Sequence, residues 1–279
     1  MSRHPRIAPA LIVAAALALA GCRGAQTADP ASARTAVAGN VPAPASSANG
    51  EHIATARYRI DIGYPALERN EAPLLAMLHR LAGAMKQDFL QALPDPEIFP
   101  ELADRQLQLQ IHFKVAARTS AFVSVRETGL QDTGGAHPAP IDMAIAYDAH
   151  AQRTVPLDDL FAKPDAARKT LADFARAELM KKMLAQAPGS NEGTPQAISE
   201  WKTNARQMVV QGTEPTPRNF ANFVVRAGTQ PNAPSPGLTL IFPPYQVAAY
   251  VYGTQVVDVP TRVFAAYLKP QYRDAFAMD

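Results

Sequence analysis

Gln106-Leu107-Gln108-Leu109-Gln110-Ile111-His112-Phe113-Lys114-Val115-Ala116-Ala117 decides the architecture of this chain. Leu107, Leu109, Ile111, Phe113 and Val115 alternate with polar side chains, the period-two pattern of a strand with one packed and one wet face. Such half-wet strands belong to antiparallel sheets, because parallel sheets are covered on both faces and read as continuous apolar runs. His112 falls on the polar side and is expected at a solvated or cross-strand position. Arg118-Thr119-Ser120 then gives a short connection into a second strand, Ala121 to Thr128, so the two form a long hairpin.

Working outward, Ala56 to Gly63 alternates well enough to be a first strand. Asn70 is the expected cap of a helix whose stripe is Leu74, Leu78, Leu81, Met85, Phe89 and Leu93, with His79 and Lys86 off it and Leu93-Pro94-Asp95-Pro96 as its end. Downstream, Gly129 to Pro140 is a loop, and Ile141, Met143, Ile145 and Tyr147 alternate as another strand. Leu157-Asp158-Asp159-Leu160-Phe161 begins a helical turn, and Pro164-Asp165 opens a helix that buries Leu171, Phe174, Ala175 and Leu179. Pro195 opens a third helix, with Ile198, Trp201, Ala205 and Met208 inward. Strands follow at Phe220 to Arg226, Leu238 to Phe242 and Val256 to Val259, and Thr261 caps a last short helix that runs through Leu268 and stops at Pro270. The expected fold class is α+β: an antiparallel or mixed sheet with helices packed on it, in two small halves (52–150 and 151–279) that form one compact body.

The first residues carry a different message. Arg3, His4 and Arg6 precede an uncharged apolar run from Ile7 to Ala20, too short to span a bilayer and matching a secretory signal peptide over residues 1–21. The ending Leu19-Ala20-Gly21-Cys22 resembles a bacterial lipobox. That resemblance implies cleavage before Cys22 and its acylation with fatty chains such as palmitate. Each buried methylene contributes about 0.8 kcal/mol, so several chains make a stable membrane anchor. Arg23 follows the cysteine, and by resemblance to Gram-negative lipoproteins the expected address is the outer membrane, with the body in the periplasm. Residues 22–51 are rich in Ala, Ser, Thr, Pro and Gly and are expected to be a disordered tether.

The net charge of +2 traces to the leader and tether, because from His52 onward basic and acidic residues balance at 23 each. A nucleic-acid partner is not expected from a neutral body without a basic face. With Cys22 as the one cysteine, the body has no disulfide framework and must be held by its core.

Two stretches carry a family resemblance. One is Thr133-Gly134-Gly135-Ala136-His137 followed by Leu157-Asp158-Asp159-Leu160-Phe161. The other is Asn219-Phe220-Ala221-Asn222-Phe223, Leu238 to Phe242, Tyr245 through Gly253, and Val256 to Pro260. Together they resemble the paired domains of unknown function in RsiV-type anti-sigma factor ectodomains and at the front of PdaC-type peptidoglycan deacetylases, over roughly residues 54–268. The resemblance implies an α+β body with an antiparallel sheet, found outside the cytoplasm, in a family with a lysozyme-binding member and a wall-modifying one. The chain lacks the sigma-binding segment of the first and the catalytic domain of the second, so neither activity carries over. What remains is a recognition module of the cell envelope, with a lysozyme-type wall-lytic protein or peptidoglycan as partner.

The chemistry-bearing residues agree with a binding role. Tyr245, Tyr250 and Tyr252 lie close together, with Pro243 and Pro244 stiffening the segment. Tyrosines offer apolar area with a hydrogen-bonding tip, which suits sugars and proteins alike, although the same rings could pack the segment onto the sheet. His137 joins Pro244 and the three tyrosines as a candidate binding residue. Its other uses are a backbone hydrogen bond that holds the Gly134-Gly135 turn, or a base paired with Asp148 or Asp158 in a wall hydrolase or esterase. Asp158-Asp159 at the start of a helical turn more commonly caps it and complements its dipole. His137, Asp148 and His150 fall short of a metal-ligand pattern, and no nucleophile elbow, phosphate loop or dinucleotide fingerprint is present. No catalytic residue, metal or cofactor is therefore expected, and a structural lipoprotein without ligand is the remaining alternative.

Overall fold

The hairpin read from the sequence is the spine of the fold: β3 (Leu107–Arg118) pairs antiparallel with β4 (Phe122–Asp132), and β4 with β5 (Ala139–Asp148). In the computed structural model, residues 50–230 and 233–278 are described. The signal peptide, Cys22 and nearly all of the expected tether lie outside the described residues. Glu51 is already the first residue of a strand, β1 (Glu51–Ala54), which pairs with β2 (Tyr58–Gly63). With β6 (Arg153–Thr154) these strands make a six-stranded sheet in the order β1-β2-β3-β4-β5-β6.

The sheet is mixed, because β2 and β3 run parallel. A parallel pair needs a long crossover, and the helix α1 (Ala72–Gln91) supplies it. Leu74, Leu78, Ala82 and Phe89 of α1 are buried against Ile60, Ile62, Leu109, Ile111 and Phe113 of the sheet. Each large apolar side chain so buried contributes roughly 1.5–3 kcal/mol. Leu81, Met85 and Leu93 are half-buried at the edge of that core. The helix is not entered through Asn70. Glu71 lies in the 3-10 turn ahead of α1 and accepts a hydrogen bond from the Glu68 amide at 2.8 Å, and its buried carboxylate is held by Arg118. Of the two places expected for His112, it takes the cross-strand one, opposite Thr128 of β4: it is half-buried, its Nε2 has no partner, and burial lowers its pKa.

A second sheet, β7 (Phe223–Val225), β8 (Gly237–Phe242) and β9 (Gln255–Pro260), is fully antiparallel. Its Val224 and Ile241 pack on Ala117 and Ala144 of the first sheet. Buried Ser124 of β4 closes the seam: its hydroxyl donates to the Val225 carbonyl and accepts from the Val225 amide at 3.0 Å. The other face, with Phe223, Leu238, Leu240 and Val259, joins Leu171, Ala175 and Leu179 of α2 (Pro164–Leu184) in the larger core. The helix α3 (Pro195–Gly212) is capped by Thr194, whose side chain accepts from the Ala197 amide. It buries Ala205 and Val209, leaving Ile198, Trp201 and Met208 half-buried. The expected last helix is a series of 3-10 turns, and Pro270 opens one of them instead of stopping the run. Pro at the first position of a turn costs nothing, since its missing N–H has no partner there anyway.

The fold class is thus α+β, with α1, a six-stranded mixed sheet, a three-stranded sheet and α2–α3 in layers within one compact unit. No helix among the described residues is long and apolar enough to cross a membrane.

Candidate functional site

The segment after β8, Pro243 to Gly253, is shaped by close backbone approach. Gly212 ends α3 directly beneath it, and a Cβ there would lie 2.0 Å from the Gln246 carbonyl oxygen. The Gln246 amide side chain ties the segment down, donating to the carbonyls of Gly212 (3.0 Å) and Asn219 (2.9 Å). Held this way, Tyr245 adopts φ +71°, a left-handed conformation that costs a non-glycine residue roughly 1–2 kcal/mol. Such strain persists only where the surroundings over-determine it, and it concentrates at functional sites. Gly212→Ala is expected to cost about 1–3 kcal/mol through overpacking and to displace this segment, as thermal unfolding will show.

The strained tyrosine is presented outward. Tyr245 is 54% and Tyr250 40% exposed, and Val251 beside them is 82% exposed. From the other half of the chain, the loop between β4 and β5 brings His137 to the same place. Gly134 turns that loop at φ +94°, with its amide bonded to Asp132 Oδ1 at 3.0 Å, while Arg105 holds the other oxygen of Asp132. His137 Nδ1–H donates to the Pro138 carbonyl at 3.1 Å, so Nε2 is left as an acceptor. It takes the Tyr245 hydroxyl at 3.0 Å. The three rings lie nearly parallel: His137 and Tyr250 have centroids 4.7 Å apart at 24°, His137 and Tyr245 6.2 Å at 21°, and Tyr245 and Tyr250 5.6 Å at 29°. The result is an exposed aromatic platform.

Of the residues singled out by sequence, His137, Tyr245 and Tyr250 come together here. Pro244 is half-buried directly before Tyr245 and adds no ring to the stack. Tyr252 points elsewhere: its hydroxyl accepts the Trp201 indole N–H at 3.0 Å. The proposed partners of His137 in a hydrolase are occupied elsewhere. Asp148 accepts from the amides of His150 (2.9 Å) and Ala151 (2.8 Å), and Asp158 pairs with Arg168. Asp159 pairs with Arg153 at 2.9 Å, so this carboxylate pair anchors cations and does not cap its turn. Thus neither ring nitrogen of His137 meets a carboxylate. No cluster of three or more metal-ligating side chains occurs among the described residues.

The platform can grip a flat, partly apolar surface and offer hydroxyl tips around it. The sequence carried no sign that His137 and Tyr245 would meet across 108 positions. It also hid Trp201's link to Tyr252, since Trp201 was expected on the buried face of its helix and Tyr252 among the candidate binding residues.

Comparison with known proteins agrees with the resemblance read from the sequence. Residues 158–262 match a family described as "Protein of unknown function (DUF3298)". A curated relative, peptidoglycan-N-acetylmuramic acid deacetylase PdaC of Bacillus subtilis (strain 168), is 22% identical over 213 residues, 76% of this chain. The chain spans 39% of that relative's length. A solved DUF3298 family protein from Pseudomonas aeruginosa PAO1 has 17% identity and a TM-score of 0.51, with 82% of this chain and 97% of that one covered. A solved member of that family from Bacteroides fragilis NCTC 9343 has 14% identity and a TM-score of 0.52, covering 80% and 94%. By sequence over residues 158–262, and by fold over some four-fifths of its length, this protein resembles the DUF3298 family.

Proposed function

We propose that this protein is a recognition module of the bacterial cell envelope that binds peptidoglycan through the platform of His137, Tyr245 and Tyr250. Acylated Cys22 anchors it to the outer membrane, and the body works in the periplasm. The observation that carries this reading is the stack itself. Three exposed rings drawn from distant segments are held nearly parallel, one of them in a strained backbone conformation. A solvent-facing stack gains little for the fold, whereas a pyranose ring presents a C–H face that fits such rings and hydroxyls that meet the tyrosine tips. The wall-polymer substrate named for the curated relative supports the same ligand class. His137 acts here as a binding residue, and no catalytic role is assigned to it.

The test is co-sedimentation of the full-length protein with purified peptidoglycan sacculi. Tyr250→Ala removes the central contact, and Tyr245→Asn removes a ring while keeping a residue that tolerates φ > 0. Both variants should stay folded and lose at least tenfold in sacculus affinity, about 1.4 kcal/mol. Sedimentation equal to that of the parent would refute the platform. A parallel arm with a lysozyme-type muramidase separates the polymer from a wall-lytic protein as partner. Binding to the muramidase alone, lost in the same variants, would make the platform a protein-recognition surface.

A further inference from the structure

A groove of about 530 Å³ opens beside the platform segment, between α3, the end of α2 and residues 248, 249 and 252. That volume falls within the range of roughly 300–1,000 Å³ usual for ligand sites. We infer that this groove is a second binding site, for an N-acetylated amino sugar.

The argument rests on the chemistry of its lining. Trp201 and Tyr252 form one end, in an edge arrangement with ring centroids 6.2 Å apart. The Trp201 indole N–H is spent on the Tyr252 oxygen at 3.0 Å. An indole nitrogen has a single donor and no acceptor, so this bond fixes both rings and leaves the Tyr252 O–H free to donate to a ligand. Along α3, Asn204, Gln207 and Gln211 all line the groove at three- and four-residue spacing, which places them in one row on the helix surface. Each side-chain amide offers both a donor pair and an acceptor. Met183 and Met208 supply deformable apolar contact within the same groove.

No side chain in the lining carries a charge. A phosphate, a carboxylate or an amine would enter without a counterion, whereas a neutral ligand loses nothing. Aromatic rings suit the C–H faces of a sugar, and a row of primary amides suits its hydroxyls. The acetamido group then decides the class, since its N–H and C=O match the amide row and its methyl group matches the thioether floor. An all-apolar ligand would leave three amides facing it without partners, which disfavours lipids and plain hydrocarbon. The site shares no side chain with the platform and stands whether or not the platform binds the wall.

Trp201 is the only tryptophan in the chain, so tryptophan emission of the full-length protein reads this groove directly. Titration with triacetylchitotriose should give a saturable change in emission, and maltotriose, which lacks acetamido groups, should give none. The variant Gln207→Ala with Gln211→Ala changes only exposed positions, so the fold is retained, and it should lose about tenfold in affinity. Tyr250→Ala should leave the titration intact while it weakens sedimentation with sacculi, so the two sites stand or fall separately. No saturable change with triacetylchitotriose, an equal response to maltotriose, or affinity undiminished in the double amide variant would each overturn the inference.

Discussion

Glu127→Gln is expected to raise stability by less than about 1 kcal/mol at pH 5 and by about 3 kcal/mol at pH 8. Glu127 sits on β4 between Phe113 and Met143 of the neighbouring strands. It is fully buried, and neither carboxylate oxygen has a hydrogen-bond partner. Burial alone raises its pKa from 4.5 to about 7, because desolvation disfavours the charged form. The folded state therefore holds a proton between pH 4.5 and about 7 that the unfolded state has released. Stability falls as pH rises through that window, and the loss is complete above it. A glutamine keeps the shape and cannot ionise, so the difference between variant and parent isolates this one group. Chemical denaturation at pH 5, 6, 7 and 8 measures it. Parallel stability curves for the two proteins would show that the carboxyl is solvated after all.

The second large effect is at Arg168, which is 6% exposed. Its guanidinium donates to Asp158 in the 3-10 turn before α2, to Asp165 in the first turn of α2, and to the Pro215 carbonyl at 2.9 Å in the connection after α3. The Asp165 side chain is 93% exposed, so that pair is screened and contributes little. Asp158 at 32% and the Pro215 carbonyl are the partners that matter. Removing one member of a buried pair typically costs about 3–5 kcal/mol. Water can still reach Asp158, so Arg168→Met, which keeps most of the apolar volume, should fall at the low end, about 3 kcal/mol. Adding Asp158→Asn should recover part of the loss, since the uncompensated charge goes with it. A loss below about 1 kcal/mol in urea denaturation would mean that the arginine is replaceable by solvent.

How much of this could be seen beforehand follows from the range of the forces involved. The β3–β4 hairpin, β5 and the stripe of α1 were legible because alternation and three-to-four spacing are local consequences of backbone geometry. The parallel pairing of β2 with β3 was not, because period-two alternation is the same for either strand direction. Nor did the pattern reveal β1, whose four residues follow a stretch without large apolar side chains. Asn70 was a reasonable cap by residue preference, but tertiary contact overrode it, since Glu71 is buried against Arg118. His112 was placed by pattern on a wet face, and burial of that face depends on elements remote in sequence. The tyrosines were singled out as a group, and the structure divides them, sending Tyr252 to Trp201 and the other two to His137. No local rule encodes that division.

The seam at Ser124 has a consequence for how the molecule is made. The strands β3, β4 and β5 are joined by short loops and can close early, at small entropic cost. The β2–α1–β3 crossover needs a longer closure, and the Ser124–Val225 contact spans 101 positions, so it belongs late in the folding sequence. His137 rides on the early-forming meander, while Tyr245 and Tyr250 arrive with the late-forming sheet. Their stack therefore exists only in completed molecules. A chain arrested halfway would hold its first core and lack the stack, so the proposed recognition surface forms only once folding has finished.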